Sequence, residues 1–99
     1  MQITKSQADF AILYDILVEN FPLNERRNKN DFLSLCNNSK YCAYAEKIND
    51  EIVGFIGLWE FDDFVYIEYF ATKSELHGKG LGSKMLLEHI RKTKKHWMP

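Results

Sequence analysis

Two cysteines and two prolines in 99 residues leave little chemistry for stapling or kinking a small domain. Cys36 and Cys42 have neither metal-ligand spacing nor a disulfide framework around them, so both are read as reduced thiols and no metal is expected. No apolar run approaches the ~20 residues that span a bilayer, and no signal-peptide architecture opens the chain. A cytoplasmic protein without membrane contact is the expectation. An excess of charge of one sign is also missing. Thirteen Lys and Arg stand against 14 Asp and Glu, for a formal net charge of −1, which offers no global attraction to nucleic acid or anionic lipid. Repeats, linkers and low-complexity segments are absent, so residues 1–99 read as a single domain. Aromatic side chains, by contrast, are plentiful. With 45% hydrophobic and 14% aromatic residues the chain has the composition of a folded domain with one core, not of a disordered segment.

The periodicity of that hydrophobic content changes along the chain. Met1 to Lys5 could form a first strand, after which Ser6 has the character of an N-cap with Asp9 three positions on. Phe10, Leu13, Tyr14, Leu17 and Phe21 then recur at helical spacing until Pro22 ends the pattern. A second, shorter helix is expected from a cap at Asn24 through Phe32, Leu33 and Leu35, broken by Asn37-Asn38-Ser39. From Tyr41 the period becomes two. Tyr41 to Ile48, Glu51 to Phe61 and Phe64 to Thr72 read as strands joined by turns at Asn49-Asp50 and Asp62-Asp63, an antiparallel meander. Gly54 and Gly57 inside the middle strand predict a bulge or a close approach of a helix. A last helix is expected from Leu81 to about Lys95, with Ser83, Leu86, Leu87 and Ile90 as its core stripe and Leu81 and Met85 outside it. Helices before and after a meander make an α+β domain.

Glycine is scarce too, yet three of the five fall at Gly78, Gly80 and Gly82. Glycine at every second position leaves successive amides uncovered by Cβ and lets φ turn positive, so that their N–H groups can converge on one anion. The helix that follows adds its unpaired N-terminal donors and the positive end of its dipole. Such a device suits a pyrophosphate. The spacing is not that of Walker A, which needs Gly-Lys-Ser/Thr after four residues, nor that of the dinucleotide fingerprint, which needs an acidic residue about 20 positions on, where Lys94 to Trp97 offers none.

A strand ending in Ile67-Glu68-Tyr69-Phe70-Ala71-Thr72, followed by His77-Gly78-Lys79-Gly80-Leu81-Gly82, resembles the GNAT superfamily of acetyl-CoA-dependent N-acetyltransferases. The signature of that family, Q/R-x-x-G-x-G/A, opens its third helix. His77 stands here where the pattern has Gln or Arg, a departure that leaves most of the backbone cradle intact and touches only the contribution of that side chain. The resemblance covers nearly the whole chain and implies a GNAT-like (acyl-CoA N-acyltransferase) fold with helices on both faces of a central sheet. It implies acetyl-CoA as cofactor, its pyrophosphate held by the amides of His77, Gly78, Lys79, Gly80, Leu81, Gly82 and Ser83. It also implies that the pantetheine arm pairs with the end of the fourth strand at Phe70, Ala71 and Thr72. An unidentified small-molecule or peptide amine would be the acetyl acceptor.

Glu68 is the candidate general base. Period two puts it on one face with Phe64, Tyr66, Phe70 and Thr72, an aromatic setting that would disfavour its charged form; the family often uses a glutamate on this strand. A strand glutamate that faces solvent or pairs with a lysine is the other reading. His77 is read as a cofactor-side or solvated residue, and Lys79 and Lys84 as diffuse positive charge near phosphates or as surface. Arg26 and Arg27 are either surface charge or the entrance for an acidic acceptor. The basic run from Arg91 to Trp97 reads as an ordinary exposed helix end.

Relative to the family pattern the chain covers the N-terminal half and lacks the C-terminal strands. An aromatic strand edge would thus be bare, and a homodimer covering it is expected. A non-catalytic CoA-binding module, or a protein-interaction domain derived from a truncated acetyltransferase, are the alternatives to an enzyme.

Overall fold

The computed structural model describes residues 1–92 and 96–98, with Lys92 and the last three by backbone alone. Strand β1 (Gln2–Thr4) leads into helix α1 (Gln7–Asn20). The Ser6 hydroxyl caps that helix by accepting from the Asp9 amide at 3.2 Å, and Thr4 donates its hydroxyl to the Asp9 carboxylate at 2.8 Å. Phe10, Leu13, Ile16 and Leu17 are buried along one side of α1, and the helix stops two residues before Pro22.

The second helix departs from expectation. Leu23–Glu25 forms only a single tight turn, and α2 (Lys29–Ser34) starts later, capped by Asn28, whose side-chain oxygen accepts from the Asp31 amide at 2.8 Å. Asn24 is therefore not the cap. Arg26 and Arg27 lie instead in the connection ahead of α2, and that difference decides what Arg27 can reach.

Strands β2 (Tyr41–Ile48), β3 (Glu51–Glu60) and β4 (Phe64–Thr72) form the expected meander, with β1 paired antiparallel to the outer side of β2. Asn49 and Asp50 turn the first hairpin with φ of 52° and 66°, the geometry for which Asn and Asp are favoured. One detail differs at the far edge. A short strand β5 (His96–Met98) pairs in parallel with Phe64–Tyr66, so the edge of β4 lacks a partner strand among the described residues only from Ile67 to Thr72.

Helices α1 and α2 cover one face of the sheet over a core that includes Phe10, Phe32, Tyr41, Phe55, Tyr69 and Ala71. The last helix, α3 (Leu81–Lys92), covers the other over Ile56, Leu58, Val65 and Met85. The stripe expected for α3 is displaced. Met85 and His89 are buried, with Leu81 and Leu86 packed beside them, whereas Leu87 and Ile90 are exposed. Two glycines account for the shift. A Cβ on Gly54 would lie 3.1 Å from the Met85 sulfur, and one on Gly82 would lie 3.3 Å from the Phe70 ring, so the helix approaches along the line where the sheet offers no side chain. The Lys95 end expected for this helix lies outside the described residues, and the basic run is not a helix end throughout, since His96 and Trp97 fall in β5.

Candidate active site

The glycine turn leaves β4 through a short turn at Ser74–Leu76 and enters α3 at Leu81. Gly78 and Gly80 take φ of +79° and +80°, and a Cβ at either would meet no atom within 4 Å. Both therefore face open space in a conformation that side chains resist. The bonds the turn makes to itself are the His77 amide to the Ser74 carbonyl at 3.2 Å and the Lys84 amide to the Gly80 carbonyl at 3.1 Å. Among the described residues none consumes the amides from Gly78 to Ser83. Uncommitted donors, an uncovered approach and the positive end of a 12-residue helix are the features that favour an anion at such a position.

The turn is braced from behind. Glu19 on α1 accepts from both the amide and the hydroxyl of Ser74, at 2.7 and 2.9 Å, and these bonds lower the pKa of its carboxyl. His77 sets Nε2 3.2 Å from the Thr72 carbonyl, which also accepts from the Asn20 side chain at 2.8 Å. His77 thus ties the turn to the end of β4. Thr72 has its carbonyl engaged within the chain, while Phe70 and Ala71 keep the outer edge of β4 without a strand partner among the described residues. Lys79 is exposed on the turn, and Lys84 sits 3.8 Å from Glu46.

Glu68 occupies a β-bulge. Across the β3–β4 pair Gly57 opposes Tyr69 and Leu58 opposes Ile67, so Glu68 is the extra residue. The bulge reverses the alternation: Val65, Ile67 and Phe70 belong to the α3 side, while Tyr69 and Ala71 belong to the side of α1 and α2. The shared face expected for Glu68, Phe70 and Thr72 is thereby overturned. Glu68 instead accompanies Tyr69 onto the α1/α2 side, where both meet Arg27.

Arg27 grips the Glu68 carboxylate with Nε at 3.1 and 3.2 Å and with Nη2 at 2.9 Å. The aromatic environment expected for Glu68 is replaced by a guanidinium, which the carboxylate holds above its ordinary pKa. The backbone of Arg27 is pinned at both ends: its amide donates to the Tyr69 hydroxyl and its carbonyl accepts from the Tyr14 hydroxyl, each at 2.9 Å. The Trp59 ring lies 6.0 Å from the guanidinium carbon. Arg26 is spent on the fold, donating to the Phe21 carbonyl at 2.6 Å. Burial pushes the Tyr69 hydroxyl up in pKa, and the Arg27 amide partly offsets it.

Tyr41, Trp59 and Tyr14 around this pair carried no sequence signal of function. Tyr41 and Trp59 face each other across the β2–β3 pair, and Tyr14 reaches them through the backbone of Arg27, to whose carbonyl it donates.

A bulged strand whose edge lacks a strand partner from Ile67 to Thr72 among the described residues runs through the glycine turn into α3. A family model described as the acetyltransferase (GNAT) family matches residues 10–97. The chain belongs to that family. Its relatives include the provisionally assigned acetyltransferase YjbC of Bacillus subtilis (strain 168), 27% identical over 81 residues that make up 82% of this chain and 41% of that protein. Among solved structures, a provisionally assigned GNAT-family acetyltransferase from Bacteroides thetaiotaomicron superposes with a TM-score of 0.81 at 27% identity, covering 96% of this chain and 57% of the other. The PaiA N-acetyltransferase from Thermoplasma acidophilum, solved in complex with coenzyme A, shares the fold with a TM-score of 0.66 at 19% identity, over 91% of this chain and 69% of its own. The chain spans 41% and 57% of the first two relatives. Among the described residues no helix is long and apolar enough to cross a membrane.

Proposed function

We propose that the chain binds acetyl-CoA and transfers its acetyl group to an amine. The observation that carries this reading is the row of uncommitted amides from Gly78 to Ser83 at the mouth of α3, directly behind an open strand edge, in a chain of the GNAT family. His77, Gly78, Lys79, Gly80, Leu81, Gly82 and Ser83 would hold the pyrophosphate, and Phe70 and Ala71 the pantetheine arm. Thr72 would contribute its position more than its carbonyl, which Asn20 and His77 already occupy.

When bound, acetyl-CoA supplies a thioester whose C–S bond breaks as the acceptor's C–N bond forms, the sulfur leaving with the electron pair. An incoming amine is protonated at neutral pH and must lose a proton to become a nucleophile. Glu68, at the bulge beside the open edge, is the carboxylate we assign to receive it, directly or through a water. Arg27 keeps that carboxylate oriented. We read the chain as self-associating through the bare part of β4, so excess coenzyme A should compete with the dimer; a monodisperse monomer in sedimentation at micromolar concentration refutes that part.

The test is calorimetric titration of coenzyme A and acetyl-CoA, followed by thiol release with a panel of amines. Glu68→Gln is expected to slow turnover while cofactor binding persists. No heat at high cofactor concentration rejects the site itself.

A further inference from the structure

We propose that the acceptor is an amine that carries its own carboxylate one or two carbons away, a free amino acid, and that Arg27 is the residue that selects it. This rests on the acyl-transfer reading above and extends it to the substrate.

The argument starts from the charge already present. Glu68 is neutralised by Arg27 through Nε and Nη2. An ammonium that needs Glu68 therefore enters a site whose carboxylate is taken. For a simple amine or a polyamine, reaching Glu68 means standing beside the guanidinium. The repulsion between those two like charges offsets what Glu68 offers the ammonium, so little net attraction remains. The hydroxyls of Tyr14 and Tyr69 hold the backbone of Arg27, and its guanidinium is bonded to Glu68 through Nε and Nη2, so withdrawing it breaks that ion pair.

An acceptor with both charges removes that conflict. Its ammonium takes the outer lone pairs of Glu68 and its carboxylate takes the remaining donors of Arg27, turning one ion pair into a ring of four alternating charges. The guanidinium has the capacity: among the described residues its Nη1 has no hydrogen-bond partner, and the side chain is 32% exposed. It presents a forked edge of the kind that matches a carboxylate. Arg26, its neighbour, is turned the other way: it donates to the Phe21 carbonyl and to the Tyr14 hydroxyl, and Arg27 is the arginine that contacts Glu68. Glu68 and Arg27 touch directly, so the two charges of the acceptor must lie close together, as on an amino acid and not at the two ends of a long chain. After transfer the product has lost its ammonium and keeps its carboxylate, so it is repelled by Glu68 and departs.

The experiment compares alanine, leucine and phenylalanine with alaninol, leucinol and phenylalaninol, in which –CH2OH replaces the carboxylate while the amine keeps nearly the same basicity. Thiol release from acetyl-CoA is followed in the wild type, R27Q and R27K, with circular dichroism melts confirming that each variant is folded. In the wild type, KM for each amino acid is expected to be about ten- to hundredfold below that of its alcohol, the worth of a charge-assisted contact. R27Q should erase the difference within each pair, and R27K should restore part of it. Equal KM within the wild-type pairs overturns the proposal, as does an R27Q effect of the same size on acid and alcohol. If no probe is acetylated, the same pairs are titrated calorimetrically with and without coenzyme A. A preference for the acid supports the proposal there, and no preference or no binding overturns it. Failure of acetyl-CoA to bind, by contrast, overturns the acyl-transfer reading whatever the amino-acid titration gives.

Discussion

The Tyr41 side chain lies fully buried with a hydroxyl that has no hydrogen-bond partner among the described residues, and burial pushes its pKa far up. Its oxygen fits against β3 only because residue 57 is glycine: a Cβ there would lie 2.1 Å from it. The ring cannot swing aside, since Phe10, Phe32 and Trp59 meet it edge-on at centroid separations of 6.3, 6.4 and 5.2 Å. Gly57→Ala is therefore expected to destabilise the fold by about 1–3 kcal/mol through overpacking, a fall in Tm of about 4–8 °C for each kcal/mol in a domain of this size. Tyr41→Phe should do the opposite. Removing an unsatisfied buried hydroxyl recovers desolvation free energy of about 1 kcal/mol or more. The double variant should retain much less than the full cost of Gly57→Ala, because the nearest remaining atoms, in the rings of Tyr41 and Phe55, lie at 3.1 and 3.2 Å. Urea unfolding of the four proteins gives the cycle, and a coupling of about 1 kcal/mol or more is expected. A loss of stability in Tyr41→Phe would show that the hydroxyl is in fact bonded. Strict additivity would show that the contact with residue 57 is not the reason for the glycine.

Asn28→Ala should cost about 1 kcal/mol in urea unfolding as the cap of α2 is lost, whereas Asn24→Ala should be close to neutral; the reverse ranking would restore the earlier helix start. Glu19 has its folded pKa below the reference 4.5 because Ser74 donates to it twice. Its contribution is complete above the unfolded pKa and fades as pH falls through the lower folded one. The stability difference between wild type and Glu19→Gln should thus be flat above pH ~5 and shrink below it. It should stay under about 1 kcal/mol because the group is exposed, and a difference that grows on acidification refutes the assignment. Gly80→Val should weaken coenzyme A binding in calorimetry more than it lowers Tm, since the position is open to solvent but its φ is +80°; unchanged affinity counts against the cradle.

Strands β1 to β4, the turn at Asn49-Asp50, the Ser6 cap and the glycine-to-helix entry were legible in the sequence, because each is decided by contacts between near neighbours: alternation, a side chain that can cap its own helix, a residue that tolerates positive φ; β5, which pairs with a distant strand, was not. Gly54 and Gly57 announced a bulge or the close approach of a helix, and left open which helix. The fit of Met85 into the space at Gly54 is a contact between elements, and so the buried side of α3 was misread.

The bulge at Glu68 could not be read from period two, since an extra residue breaks alternation without leaving a mark in hydrophobicity. Nor could the pairing of Arg27 with Glu68 be found, 41 positions apart, because it depends on α2 beginning at Lys29 and on the sheet turning residue 68 toward that side. Local sequence thus determined most of the elements and the glycine turn at the mouth of α3, which lies within one stretch of backbone. The face on which the carboxylate stands, and the cation it meets, were decided only when distant segments packed.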